Sequence, residues 1–347
     1  MSKIIVTAVG VSGSGKSNAY GSIIKLLKER RRDSYYLTAC GETPEERLRN
    51  SGVIDRYADI NQGFVSTGTM VTTEFPFAFG GHFRPDVPTY PLLDMPLIDY
   101  PGGVLRTMLG DGAEGEDSED AIRLLHRIMD TDVLLLFADA NILAEEDGVE
   151  PARRQIAREI NTIFEILSTD RDTAFVSRPR TVLLLLTKCD SNLIPQELKD
   201  NHFRELVNRA LMVFDPTVRF CINQPNWKIA VIPTSTCGDG NANSWRDDKG
   251  VYHAEMTAPP QPYGFDLAIL YGVMHELDNR VRLGYDDSEE LPEKVERKPG
   301  FVSALQWRHI LSRLTQQEDE QITLYRQYAA NLHSLLDPLS GSQIMEI

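Results

Sequence analysis

Gly10-Val11-Ser12-Gly13-Ser14-Gly15-Lys16-Ser17 decides how the rest of the chain is read. It follows a β-rich apolar run, Lys3 to Val9, and leads into a stretch, Lys16 to Arg32, that reads as a helix. The spacing is glycine, four residues, glycine, lysine and a hydroxyl residue, and the strand before and helix after are the setting that gives it meaning. Glycines let the backbone turn tightly and aim successive N–H groups inward, where phosphate oxygens can accept them. The helix N-terminus adds its partial positive charge. In such a loop Lys16 reaches the β- and γ-phosphates and the Ser17 hydroxyl ligates Mg²⁺. Gly10, Ser12, Gly13, Ser14, Gly15 and Asn18 complete the nucleotide-facing stretch. The bland alternative is a glycine turn with a surface lysine.

Working outward, apolar runs and helical stretches alternate. Tyr35 to Ala39 reads as a short strand, and 41–69 as irregular with a helix at Pro44 to Arg49. Strands are expected at Val71 to Phe79 and Leu92 to Ile98, with Pro96 pointing to a bulge or an irregular ladder in the second. Residues 110–120 are acidic and glycine-rich and read as a mobile loop before a helix at Ala121 to Met129. Val133 to Ala138 and Thr181 to Leu186 are continuous apolar runs, as parallel strands covered on both faces require. Helices are expected at Pro151 to Thr169, Pro195 to Phe214 and Phe265 to Leu277, and a strand at Lys228 to Ile232. Cys237 to Pro262 reads as a long polar loop. The pattern predicts a doubly wound, mostly parallel α/β sheet with ligands at the carboxyl ends of the strands. It spans 1–280, followed by a charged linker at 281–300 and a C-terminal helical extension at 301–347 with Leu305, Ile310, Leu311 and Leu314 at helical spacing. That extension is either packed on its own sheet or a partner-binding arm.

Composition narrows the partners. The net charge of −15 over 347 residues repels nucleic acid and anionic lipid. The basic run Lys28-Glu29-Arg30-Arg31-Arg32 ends a helix, where the dipole favours cations. Four cysteines (Cys40, Cys189, Cys221, Cys237) show neither a CxxC pair nor zinc spacing, and the histidines show no metal spacing. No signal peptide and no apolar run of bilayer length are evident, so the chain is expected to be cytoplasmic, without a membrane span. Trp227 and Trp307 read as core or interface anchors.

Three further stretches carry chemistry. Leu97-Ile98-Asp99-Tyr100-Pro101-Gly102-Gly103 ends a strand with a carboxylate able to hold Mg²⁺ through water, and Gly102 can offer its N–H to a γ-phosphate. Asp139, after the run Val133 to Ala138, is its rival; Asp99 is preferred because the glycine follows it. In Thr187-Lys188-Cys189-Asp190 the carboxylate can accept from the N1–H and N2–H₂ of guanine, an arrangement adenine lacks, and the lysine stem can lie over the rings. In Pro233-Thr234-Ser235-Thr236-Cys237, the small residues Ser235 and Thr236 let a backbone N–H approach guanine O6.

In order and spacing these four stretches resemble the motifs of the translation-factor-related class of P-loop GTPases, over residues 1–280. Within it the chain is similar to the bacterial double-GTPase group linked to conflict and defence systems. The resemblance implies GTP or GDP and Mg²⁺ as ligands, a molecular switch with GTP hydrolysis, and an effector or activating protein, and leaves a homodimer open. It also implies a switch threonine on Mg²⁺ and the γ-phosphate, with Thr67 and Thr69 as candidates ahead of Thr72 and Thr73. On the same footing Lys16, Thr67, Thr69 and Gly102 take the catalytic roles and Ser17, Asp99 and Thr67 the metal. Two departures matter. Thr187 stands where asparagine is commonest, which weakens guanine preference without removing it. Gly103 stands where many members carry a glutamine that orients the attacking water, so intrinsic hydrolysis is expected to be slow. His82 and Arg84 are distant candidates for that role. Two rival readings stay open: a nucleotide-loaded scaffold that barely hydrolyses, and an ATP-dependent P-loop ATPase in which Asp190 is merely structural.

Overall fold

The computed structural model describes residues 3–11, 13–29, 35–39, 41, 43–51, 73–81, 91–99, 104, 116–145, 148–169, 178–248, 252–283 and 322–347. Its centre is an eight-stranded sheet in the order β10-β7-β6-β5-β1-β4-β3-β2. The strands are β1 (Val6–Val9), β2 (Tyr35–Ala39), β3 (Thr73–Gly81), β4 (Pro91–Asp99), β5 (Val133–Asp139), β6 (Arg180–Thr187), β7 (Trp227–Pro233) and β10 (Met345–Glu346). Strands β4, β1, β5, β6 and β7 run parallel, while β3 pairs antiparallel with β4, and β10 with β7.

Alternation along the parallel strands feeds two separate cores. Val133, Leu135 and Phe137 of β5 join Leu183 and Leu185 of β6 on one face. Leu134, Leu136 and Ala138 join Val182, Leu184 and Leu186 on the other. Successive side chains point to opposite faces, so an unbroken apolar run is what a strand covered on both sides needs. The first face is covered by α1 (Lys16–Glu29), through Ala19, Tyr20, Ile23 and Leu27, and by a C-terminal helix, Phe265–Leu283. Glu116–Asp130, Arg158–Thr169 and Asp215–Ile222 cover the second. This is the doubly wound, mostly parallel α/β arrangement that the motif order implies. The chain leaves β1 toward the β4 side and returns on the β5 side, so the switch point, and the crevice it opens, lies at the carboxyl end of β1.

Several boundaries differ from expectation. Residues 116–120 belong to the helix Glu116–Asp130 rather than to a mobile loop; acidic residues are favoured in a first helical turn by the dipole. Pro96 causes no bulge. It lies opposite Pro76, so two missing donors coincide at one rung, and the register shift falls at Phe79/Gly80. The helix Gln196–Val213 is broken at Asp200–Phe203, where Asn201, His202 and Phe203 have positive φ; asparagine and histidine are among the types that enter that region most readily. The short helix at 44–51 carries a capping box, with the Glu46 N–H on Thr43 Oγ1 at 3.1 Å and the Thr43 N–H on Glu46 Oε2 at 3.4 Å. The 237–262 segment, expected to be loop, holds a two-stranded hairpin, β8 (Ala242–Arg246) and β9 (Tyr252–Met256).

Leu305, Ile310, Leu311, Leu314 and Trp307 lie outside the described residues. The described end of the chain is helical over 322–336 and packs on the first core through Tyr325, Tyr328, Ala329, Leu332 and Leu336. Its last residues then pair with the edge of β7, Met345 opposite Val231. Among the described residues no helix is long and apolar enough to cross a membrane, and no cluster of three or more His, Cys, Asp or Glu could hold a metal.

Candidate functional site

The loop after β1 has the conformation its glycines predict. Gly13 and Gly15 have φ of 78° and 95°, left-handed values open to glycine at little cost. At Gly10 the constraint is space: a Cβ there would lie 2.7 Å from Ser14 Oγ and 2.9 Å from Phe137 Cβ. The Lys16 ammonium turns back into the loop and donates to Gly10 O at 2.7 Å and Val11 O at 3.0 Å. Lys16 is buried, so its charge sits within the curve of the loop and not in solvent. Ser14 is buried too, and its hydroxyl has no hydrogen-bond partner among the described residues. Gly10, Gly13, Ser14, Gly15, Lys16, Ser17 and Asn18 thus fall together at the carboxyl end of β1; Ser12 lies outside the described residues.

Thr187, at the end of β6, explains itself in three dimensions. Its hydroxyl donates to Ser14 O at 3.0 Å and also approaches Ala138 O at 3.3 Å. It therefore stitches the glycine loop after β1 to two neighbouring strands, a job a short hydroxyl side chain can do. Lys188 follows with φ of 62°, unusual for a non-glycine residue, and its ammonium pairs with Asp139. The other Asp139 oxygen caps the helix Ala140–Ala144, accepting from the Asn141 N–H at 3.0 Å. Both oxygens of the rival magnesium candidate are therefore engaged by the protein itself. Asp99 lies on the other side of β1, one residue beyond Ile98, which pairs with Thr7. Thr67, Thr69, Thr72, His82, Arg84, Gly102 and Gly103 lie outside the described residues.

Asp190 faces the small-residue loop after β7. Burial pushes its carboxyl above the usual carboxylate range; a hydrogen bond from the Ser235 hydroxyl and the charge of Lys199 oppose this, and the charge of Asp239 adds to it. The acceptor also takes its own backbone N–H, yet desolvation still outweighs these partners, and a ligand that brings N–H groups would offset it. Ser235 is locked from behind: its N–H and C=O pair with Tyr263 at 3.1 and 3.0 Å, and its Oγ accepts from the Gly238 N–H at 2.7 Å. Cys237 also borders the carboxylate, and burial together with the Asp190 charge pushes its thiol up to about 12. It is therefore a neutral thiol at the site, not a reactive thiolate.

Sequence reading missed two supports of this site. One is the Tyr263 bridge, whose tyrosine hydroxyl also donates to Asp239 at 3.4 Å. The other is the β8–β9 hairpin. Asn192 grips its backbone, accepting from the Ser244 N–H at 2.6 Å and donating to Ser244 O at 3.2 Å.

No family model matches the chain, and no curated protein matches it. Among solved structures, the GTPase-like domain of S. cerevisiae Ski7 bound to GTP is 15% identical over 68% of this chain and 43% of that chain, with a TM-score of 0.34. The signal recognition particle receptor SRb-GTP/SRX complex from Chaetomium thermophilum is 15% identical over 68% of this chain and 94% of that one, at 0.33. The bacterial selenocysteine-specific elongation factor EF-Sec is 14% identical over 68% of this chain and 26% of that one, at 0.29. This chain thus spans less than half the length of the Ski7 and EF-Sec chains.

Proposed function

We propose that the chain binds a guanine nucleotide with Mg²⁺ and acts as a GTP-dependent switch with slow intrinsic hydrolysis. The observation that carries this is the hydroxyl bond from Thr187 to Ser14 O. It joins the phosphate cradle to the loop that holds Asp190, so triphosphate grip and purine reading become one rigid site on adjacent strand ends. The residues fit the ligand. A glycine cradle that a Cβ would fill leaves room for backbone approach, and a half-buried, partly desolvated carboxylate suits the two N–H edges of guanine. Lys16 neutralises phosphate charge, Ser17 and Asp99 hold the metal directly or through water, and Thr236 offers its amide to O6. Mg²⁺, when bound, screens the β,γ-phosphate charge. Thr67 or Thr69 would complete the metal shell, and Gly102 would meet the γ-phosphate.

Gly103 has no side chain to orient water, and this favours a second reading, a nucleotide-loaded scaffold or interaction module with little or no hydrolysis. The ATPase alternative is weakened by Asp190, which an adenine edge would leave unpaired. Titration calorimetry with GTP, GDP and ATP tests the proposal, with single-turnover cleavage measured beside it. Tight GTP and GDP binding with ATP at least a hundredfold weaker is expected. Equal affinity for ATP would refute guanine reading, and fast unaided cleavage would refute slow hydrolysis.

A further inference from the structure

The β8–β9 hairpin closes a ring of contacts around the loop that carries Asp190. Starting from that loop, Lys188 pairs with Asp139, the N-cap of the helix Ala140–Ala144. Glu145 caps the other end of that short helix. Its carboxylate accepts from the Tyr252 hydroxyl and pairs with Arg246 at 3.1 Å, so it holds both strands of the hairpin. Arg246 and Tyr252 face each other across the hairpin and stack, the guanidinium 5.3 Å from the ring centroid. One rung pair along β8, Ser244 presents its N–H and C=O to the Asn192 amide, two residues beyond Asp190. The ring runs 188, 139, 145, 252 and 246, 244, 192, and returns to the starting loop.

We propose that the hairpin is a brace for the base-reading loop, with Asn192 and Glu145 as positioning residues, and that it sets how long and how selectively the guanine base is held. This rests on the proposed guanine site. The reasoning is mechanical. Lys188 sits in a left-handed conformation that surrounding structure must enforce, and Asp190 is partly desolvated beside the like charge of Asp239. A loop under those two stresses relaxes unless fixed at both ends. Thr187 fixes one end on the phosphate loop, while Asn192 fixes the other on the hairpin. Neither Asn192 nor Glu145 touches the base; each acts through the loop.

The test compares release of fluorescent GDP and IDP from the full chain. Hypoxanthine lacks the exocyclic amine, so the GDP-to-IDP ratio reports the aim of Asp190 itself. Asn192→Ala is expected to speed GDP release about tenfold, the equivalent of its two hydrogen bonds. Tyr252→Phe is expected to speed it about threefold, and both narrow the ratio. Asn192→Asp, which keeps the acceptor for the Ser244 N–H, falls between wild type and alanine. Asp190→Ala is the reference and erases the ratio. If Asp190→Ala erases it while Asn192→Ala and Tyr252→Phe stay within twofold of wild type in rate and ratio, the brace is overturned and base reading stands. Faster release that is equal for both bases also overturns it, because that marks general loosening. If Asp190→Ala keeps the guanine preference, base reading fails and the brace fails with it.

Discussion

Asp190→Asn should make the nucleotide-free protein more stable and the nucleotide-bound one much weaker. The carboxyl is pushed above its ordinary range, first by burial and then by Asp239, against the opposing Ser235 hydroxyl and Lys199. A raised carboxyl pKa in the fold means that stability is fully present below the unfolded value and declines as pH rises through the folded one. As pH rises through that folded value, the free protein takes on the cost of ionising a partly desolvated carboxylate. Asparagine removes that charge at nearly constant volume, so the melting temperature without nucleotide should rise. Binding moves the other way. Two guanine N–H groups meeting a charged acceptor contribute about 1.5–3 kcal/mol each, so their loss weakens GDP by roughly 10²–10⁴-fold. Scanning fluorimetry without nucleotide and calorimetry with GDP read the two effects on one preparation. The pH dependence follows: GDP affinity of the wild type should fall on acidification, through a window above the usual carboxylate range, and Asp190→Asn should lose that dependence. A variant that melts lower than wild type and still binds GDP normally would refute the reasoning, since Asp190 would then be a structural acceptor.

Thr187→Val keeps shape but removes the stitch to Ser14 O, and should weaken GDP about tenfold with about 1–2 kcal/mol of lost stability, read by calorimetry and urea melts. Gly10→Ala places a methyl 2.7 Å from Ser14 Oγ and 2.9 Å from Phe137 Cβ, so it should abolish co-purifying nucleotide while circular dichroism stays native. His275 is held near pKa 4 by burial, against the pull of Asp278 and Glu346, and was 6.5 before folding. A lowered histidine pKa leaves the unfolded chain binding more protons, so stability should fall between about pH 6.5 and 4, by at most about 3 kcal/mol, and His275→Phe should flatten that slope in urea melts.

What the sequence reveals depends on how local each signal is. The phosphate loop and the Thr187 to Asp190 element sit within a few residues at the ends of unbroken apolar strands, and the structure brings them together. Asp139 could not be separated from Asp99 as a metal candidate by pattern alone. What distinguishes it is Lys188, 49 positions away. The hairpin was hard to see because Ala242-Asn243-Ser244-Trp245-Arg246 carries polar residues on both faces, and the alternation of Tyr252-His253-Ala254-Glu255-Met256 is five residues long with only a half-buried side. Strand β10 is two residues long and exists by pairing with β7, a contact no local propensity encodes. The helix start at Glu116 was masked by the glycines at 110, 112 and 115.

Two aspartates at opposite ends of the sheet, Asp132 buried and Asp190 half-buried, give the sharpest contrast between holding a fold and holding a ligand. Asp132 precedes β5 at the amino end. It accepts the Ile5 N–H at 2.8 Å, pairs with Arg178, and has Arg180 and Arg280 nearby, with Glu276 as a second anion. Burial works against its charge, and these partners work for it. Arg180, beside it, spends its guanidinium on the carbonyls that end the helix Glu116–Asp130, among them Ile128 O at 2.9 Å. Neutralising Asp132 would leave several arginines facing one carboxylate. Because Arg178 is about a third exposed, water would repair part of the loss, and Asp132→Asn should cost about 1–3 kcal/mol, below the figure for a fully buried pair. Asp190 accepts from the Ser235 hydroxyl and its own backbone N–H, has the like charge of Asp239 nearby, and draws on one cation, Lys199, where Asp132 has three arginines. The same substitution should therefore lower stability at the amino end and raise it at the carboxyl end. Parallel urea melts of the two variants decide the matter: shifts of the same sign would mean that the carboxyl edge is no more strained than the rest of the core, and the case for a ligand there would lose its physical basis.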